Sequence, residues 1–144
     1  MQKQDFFSSS KFVTELTPKD FDPVSTWKLK KDDACAIVLF YVPWCPYCQA
    51  VKEAWQDLGE KAAFFDVYSM NCEKYSEFCS KIREDNPDLI VSYPTMIIYT
   101  NGSPTEKVGI DESKRTVKNF IKACMRVCDK SYHYIDPPKK KKGC

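Results

Sequence analysis

The sequence predicts a single small α/β domain, and three observations carry that reading. Residues 34–42 form a continuous apolar run containing Ile37, Val38, Phe40 and Tyr41, the composition of a central strand covered on both faces. Apolar positions at helical spacing follow at once, namely Ala50, Val51, Ala54, Trp55 and Leu58. Strand-like and helix-like segments then alternate through the rest of the chain, and crossover helices are the economical way to join parallel neighbours. A small mixed β-sheet flanked by helices on both faces follows.

Each element has its own warrant. Residues 12–16 alternate apolar and polar like a half-buried strand. Thr17 then offers a cap and Pro18 a proline at a first helical position, so a first strand and helix are expected. Pro43 ends the apolar run, and the next helix leaves directly from Cys45-Pro46-Tyr47-Cys48, with Gly59 near the end of its pattern. Residues 64–70 read as a strand, 73–83 as a short helix, and Asn86-Pro87-Asp88 as a breaker. Two strand-like runs, 95–100 and 106–110, flank Asn101-Gly102, a strong hairpin signal. Val117, Phe120, Ile121, Cys124 and Cys128 make one stripe of a last helix.

Composition bounds the function. The chain has 144 residues, 43% hydrophobic and 29% charged, which suits one core and shows no bias toward disorder. Its nine-residue apolar run at 34–42 is far short of the roughly 20 residues a membrane-spanning helix needs, so no transmembrane span is expected. The formal charge is +2, but the four lysines at 139–142 exceed that by themselves, so the body is slightly acidic and no specific nucleic-acid partner is expected. The reading divides the chain into an N-terminal extension at 1–10, a domain at 11–130 and a flexible basic tail at 131–144. No apolar stretch of signal-peptide length lies near the N-terminus, which favours the cytosolic side.

The chemistry is carried by Trp44-Cys45-Pro46-Tyr47-Cys48, placed where a buried strand ends and a helix begins. At a helix N-terminus the unpaired backbone N–H groups and the macrodipole favour an anion, so Cys45 is placed to be a reactive thiolate. Cys48, one helical turn on, is placed to attack the mixed disulfide that Cys45 forms with a substrate. Pro46 stiffens the loop without losing a helical hydrogen bond. The reading is dithiol–disulfide exchange with protein substrates that carry thiols or disulfides, with no cofactor and no metal.

These residues give the chain a resemblance to thioredoxin-fold oxidoreductases, and it is most similar to the catalytic domains of protein disulfide isomerases. The resemblance spans about residues 12–128. It rests on Leu16-Thr17 with Asp20-Phe21, on Phe40-Tyr41-Val42-Pro43-Trp44-Cys45, and on Ser92-Tyr93-Pro94-Thr95 followed by an apolar strand. It implies a thioredoxin fold and a cis peptide bond at Pro94 facing the redox pair. It further implies that the strand backbone there pairs with substrate, and that Trp44, Tyr93, Pro94 and Thr95 form a docking surface. A reductase or oxidase that recharges the pair is an implied partner. Cys72 and Cys79 match the spacing of a structural disulfide found in several such domains, with two partly buried thiols or a regulatory pair as alternatives. The cysteine usage resembles secretory-pathway relatives, against the cytosolic reading of the N-terminus.

Three departures from the family pattern matter. Six residues before the first redox cysteine the family places a buried acid, whereas this chain has Leu39, and Tyr68 and Ser69 stand where the family lysine is expected. Slow deprotonation of Cys48 follows. Pro46-Tyr47 resembles the dipeptide of glutaredoxins, whose potentials of roughly −200 to −230 mV lie between thioredoxin and disulfide isomerase values, so an intermediate potential is expected. The stretch from 80 to 92 is longer than usual, as a loop insertion would make it.

The remaining candidates have plainer readings. Cys124 and Cys128, four apart on one helix, are too distant for a mutual disulfide and are expected as buried thiols. Cys35 is expected to pack as a small hydrophobe. Cys144 ends the tail and could link two chains of an otherwise monomeric protein, and His133 reads as surface packing. Competing functions are a glutaredoxin-like glutathione-dependent reductase, a Zn²⁺ or iron–sulfur site on Cys45, Cys48, Cys72 and Cys79, and a non-catalytic interaction domain.

Overall fold

The computed structural model describes residues 4–30 and 33–132. His133, the four-lysine stretch and Cys144 lie outside the described residues. In chain order the elements are β1 (Thr14–Glu15), β2 (Ala36–Tyr41), α1 (Pro46–Lys61), β3 (Asp66–Asn71), α2 (Ser76–Asp85), β4 (Thr95–Thr100), β5 (Ser103–Val108) and α3 (Val117–Tyr132). The five strands form one sheet in the order β1-β3-β2-β4-β5. β1 and β2 run parallel to β3, while β4 is antiparallel to both β2 and β5. This is the thioredoxin fold.

β2 is central because every one of its residues is apolar and every one is buried. Successive side chains point to opposite faces. Phe40 meets Phe21, which meets Phe78 of α2, with ring centroids 6.3 and 5.2 Å apart. On the other face Tyr41 stacks on Phe6 at 4.3 Å, beneath Lys52 of α1. Trp55 of α1 meets Phe120 of α3 edge to face at 5.1 Å, a contact contributing about 0.5–1.5 kcal/mol beyond area burial. Helices therefore cover both faces of the sheet.

Several expected boundaries shift for local reasons. The helix expected after Thr17 is a three-residue 3-10 turn, Pro18–Asp20, closed by a capping box between Thr17 and Asp20. α2 starts at Ser76 rather than near Glu73, because the Asn71 side chain accepts from the N–H groups of Glu73 and Lys74 and builds a turn first. β5 begins at Ser103, not Glu106. Pro104 is accommodated because β5 is an edge strand. Gly59 does not end its helix; a Cβ there would lie 2.6 Å from the Phe12 carbonyl oxygen, so the glycine lets α1 press against the chain entering β1. Asn101 and Gly102 both have positive φ, 52° and 85°, as the tight hairpin turn requires.

The cysteines give the main correction. Cys35 and Cys128 are not two independent buried thiols; they form a disulfide with Cα atoms 5.8 Å apart and a sequence separation of 93. The end of α3 lies over the start of β2, so the partner of Cys128 comes from the sheet and not from its own helix. Cys124 remains a buried free thiol, and burial pushes it up to about 12. Cys72 and Cys79 form a second disulfide between the end of β3 and α2.

Loop length ranks the two bonds. On the chain-entropy model a loop of this length contributes about 4.7 kcal/mol for Cys35–Cys128, against roughly 2–3 kcal/mol for Cys72–Cys79. Replacing both cysteines of each pair by Ala and measuring urea denaturation should therefore show the larger loss for the 35/128 pair, on the order of 3–5 kcal/mol. A loss at 35/128 no larger than at 72/79 would contradict that ranking.

Candidate active site

The site sits at the C-terminal end of β2. Val42 and Pro43 are still buried, Trp44 is exposed, and α1 starts at Pro46 with Cys45 as its N-cap residue. The Cys45 carbonyl accepts from the N–H groups of Cys48 and Gln49, both at 3.0 Å, and the Gln49 side chain donates to the Pro43 carbonyl at 2.9 Å. The turn is thus tied on both sides of the cysteine. Both thiols are free, with Cys45 half-buried and Cys48 fully buried beneath it.

The second strand segment approaches from β4. The Tyr93–Pro94 peptide bond is cis, and the Cys45 thiol lies 3.9 Å from the Tyr93 carbonyl oxygen. Thr95, the first residue of β4, donates through its hydroxyl to the Ser92 carbonyl and pins the approach. Cys45, Cys48, Tyr93, Pro94 and Thr95, singled out from the sequence, thus meet at one place. Trp44 lies beside them, 55% exposed, and its indole N–H donates to Glu73 at 3.0 Å. Cys72 and Cys79, bonded to each other, leave two of the four thiols of the metal alternative unavailable as ligands.

Some residues at the site had no signal in the sequence. Glu73 holds the Trp44 ring, and Arg83 lies 4.9 Å from the Tyr93 ring centroid while donating to the Ile90 carbonyl. Arg115, from the loop before α3, brings its positive charge to bear on Cys48. Their separation in the chain hid them, since no spacing rule links positions 44, 73, 83 and 115.

Burial pushes the Cys48 thiol up to about 12 and outweighs a backbone hydrogen bond from Val42 and the charge of Arg115, both of which favour the thiolate; a negative Cys45 pushes in the same direction as burial. Leu39, fully buried, offers no proton acceptor. In its row across the sheet, Leu39 pairs with Ser69 and Ser69 with Glu15. The Glu15 carboxylate accepts through Oε2 from the Tyr41 hydroxyl at 2.6 Å and the Phe7 N–H at 3.0 Å, its Oε1 is buried without a hydrogen-bond partner among the described residues, and burial raises its carboxyl above the ordinary value.

Two buried-to-exposed free thiols one helical turn apart, facing a cis-proline strand, define a class: thioredoxin-fold thiol–disulfide oxidoreductases. Known proteins agree with it. The thioredoxin family model matches residues 12–123. Protein disulfide-isomerase 5-1 of Arabidopsis thaliana is 30% identical over 112 residues, covering 76% of this chain and 70% of that protein. Protein disulfide isomerase-like 5-1 of Oryza sativa subsp. japonica is 31% identical over 112 residues, covering 76% and 69%. Among solved structures, the J-Trx1 fragment of ERdj5 has a TM-score of 0.66 at 18% identity, covering 85% of this chain and 55% of that one, a likeness of fold. The chain belongs to the thioredoxin family, in its protein disulfide isomerase-like branch, and is a thiol–disulfide oxidoreductase.

The state of Cys48 sets a pH dependence. Far below its pKa, the fraction of Cys48 thiolate rises about tenfold per pH unit. Resolution of a mixed disulfide on Cys45, followed by stopped flow, should therefore accelerate about tenfold per unit between roughly pH 7 and 9. A rate independent of pH over that range would show that a base other than hydroxide takes the proton.

Proposed function

We propose that Cys45 is the attacking thiol and Cys48 the resolving thiol of a protein disulfide oxidoreductase and isomerase. The Cys45 thiolate attacks one sulfur of a substrate disulfide, forms a mixed disulfide and releases the other sulfur as a thiolate. Cys48 loses its proton to water and attacks the Cys45 sulfur, so the second substrate thiol leaves and a Cys45–Cys48 disulfide remains. Two electrons pass from the dithiol to the substrate. The reverse sequence inserts a disulfide into a dithiol substrate, and release of Cys45 by a substrate thiol isomerises it.

The observation that carries this reading is the position of Cys45 at the head of a sixteen-residue helix, half-exposed, with Cys48 buried one turn below. A helix N-terminus favours the thiolate as attacking group. Trp44, Tyr93, Pro94 and Thr95 supply the docking surface, with the chain of the substrate lying against the backbone at 92–95. The reading takes proteins as substrates because the relatives are named protein disulfide isomerases. The two further disulfides favour a compartment in which disulfides persist, against the cytosolic expectation, and with it oxidation and isomerisation over reduction.

The test is covalent trapping. A Cys48→Ser variant mixed with a disulfide-bearing protein should accumulate an adduct through Cys45 that dithiothreitol releases, while Cys45→Ser should form none and lose catalysis of oxidative refolding. An adduct of equal yield through another cysteine in Cys45→Ser would overturn the assignment.

A further inference from the structure

Next to Cys45 the paired part of the sheet comes to an end. Met96 and Val108 are register partners where β5 ends, and Gly109, with φ 65°, turns the chain away. The diverging segments leave a groove of about 200 Å³ that begins at Pro94, next to the residue whose carbonyl faces the Cys45 thiol. Val91 and Ile110, 70% and 76% exposed, form its apolar rims.

The charges lining this groove have one sign. Lys107 and Arg115 line it, and no carboxylate does. Arg115 donates through Nε to the Gly109 carbonyl at 2.7 Å, which holds the guanidinium along the groove, and Lys107 donates to the Asp88 backbone carbonyl. Among the described residues neither cation forms an ion pair. Asp111, whose carboxyl is lowered first by its hydrogen bonds from Ser113 and also by the charge of Arg115, accepts through Oδ1 from the Ser113 N–H and hydroxyl at 3.0 and 2.9 Å; it offsets part of the Arg115 charge but does not line the groove. A Cβ at position 109 would lie 3.2 Å from Arg115 Cγ, so the glycine leaves room for the stem of that side chain.

We infer that the groove selects protein substrates in which the reacting cysteine lies within a few residues of an aspartate or glutamate. The carboxylate meets Lys107 and Arg115 while the substrate backbone lies across Tyr93 and Pro94. The selection rests on exchange at Cys45 and supplies its substrate class. Exposed charge pairs are individually weak, and salt screens them. The selectivity is therefore a modest ratio that high ionic strength abolishes.

The experiment uses three capped peptides, each with one cysteine as a neutral pyridyl disulfide and flanked on both sides by Glu, Gln or Lys. The reduced protein should attack the Glu peptide at least about fivefold faster in kcat/KM than the Lys peptide at roughly 10 mM salt, and the ratio should fall toward one at roughly 0.5 M. Lys107→Glu should bring the low-salt ratio to one or below, while Lys11→Glu, at the opposite edge of the sheet, should keep the wild-type ratio. A wild-type ratio of one, a ratio insensitive to salt, or an equal drop in both variants would overturn the selectivity. The Gln peptide separates the two readings: if it reacts and the ratio is one, the groove assignment alone fails, and if no peptide reacts, exchange at Cys45 fails and selectivity with it.

Discussion

Four residues, 42 to 45, separate a strand buried along its whole length from a helix that must begin in solvent. β2 cannot slide, because all six of its side chains are fixed in the core, and α1 cannot rotate, because Cys48, Val51, Trp55 and Leu58 are buried on its inner face. The connection therefore has one arrangement available. It sets Cys45 at the helix head and Cys48 beneath it, and the hydrogen bonds to the Cys45 and Pro43 carbonyls hold that arrangement without using the sulfur. The chemistry depends on packing that lies mostly outside the motif.

That same packing gives the two thiols different surroundings. Cys45 is half-exposed, and Cys48 is sealed and held protonated by burial. In many relatives by resemblance a buried acid would relieve the second thiol. Here the corresponding position is Leu39, and the acid in the same sheet row, Glu15, ties the N-terminal segment to Tyr41 instead. Position 39 thus adds to the core of the central strand, and Glu15, two strands away, anchors that strand through Tyr41.

Much of the fold was legible because its signals are local. The apolar run of β2, the stripe of α1, Asn101-Gly102 and the stripe of α3 each specify an element from adjacent residues. Cys45 and Cys48 were legible from their place between a buried strand and a helix, and Tyr93-Pro94-Thr95 through the family resemblance. The Cys35–Cys128 bond was not, because helical spacing relates Cys128 only to its own helix, and its partner is 93 residues away on the sheet. Pro104 concealed the start of β5, since nothing in the sequence says that the strand is an edge. The packing of Phe6 and Phe7 on Tyr41 was equally hidden, as both lie in a stretch that reads as an extension. Arg83 and Arg115 reach the site by tertiary placement alone.

The most direct measurement of the central claim compares alkylation of the two thiols in the folded and the urea-unfolded chain, with iodoacetamide at neutral pH and each site quantified by mass spectrometry. If the strand–helix junction creates the reactivity, Cys45 reacts faster folded than unfolded while Cys48 reacts far more slowly folded than unfolded. Equal rates for Cys45 in both states would contradict the account, because the helix head would then contribute nothing to its sulfur.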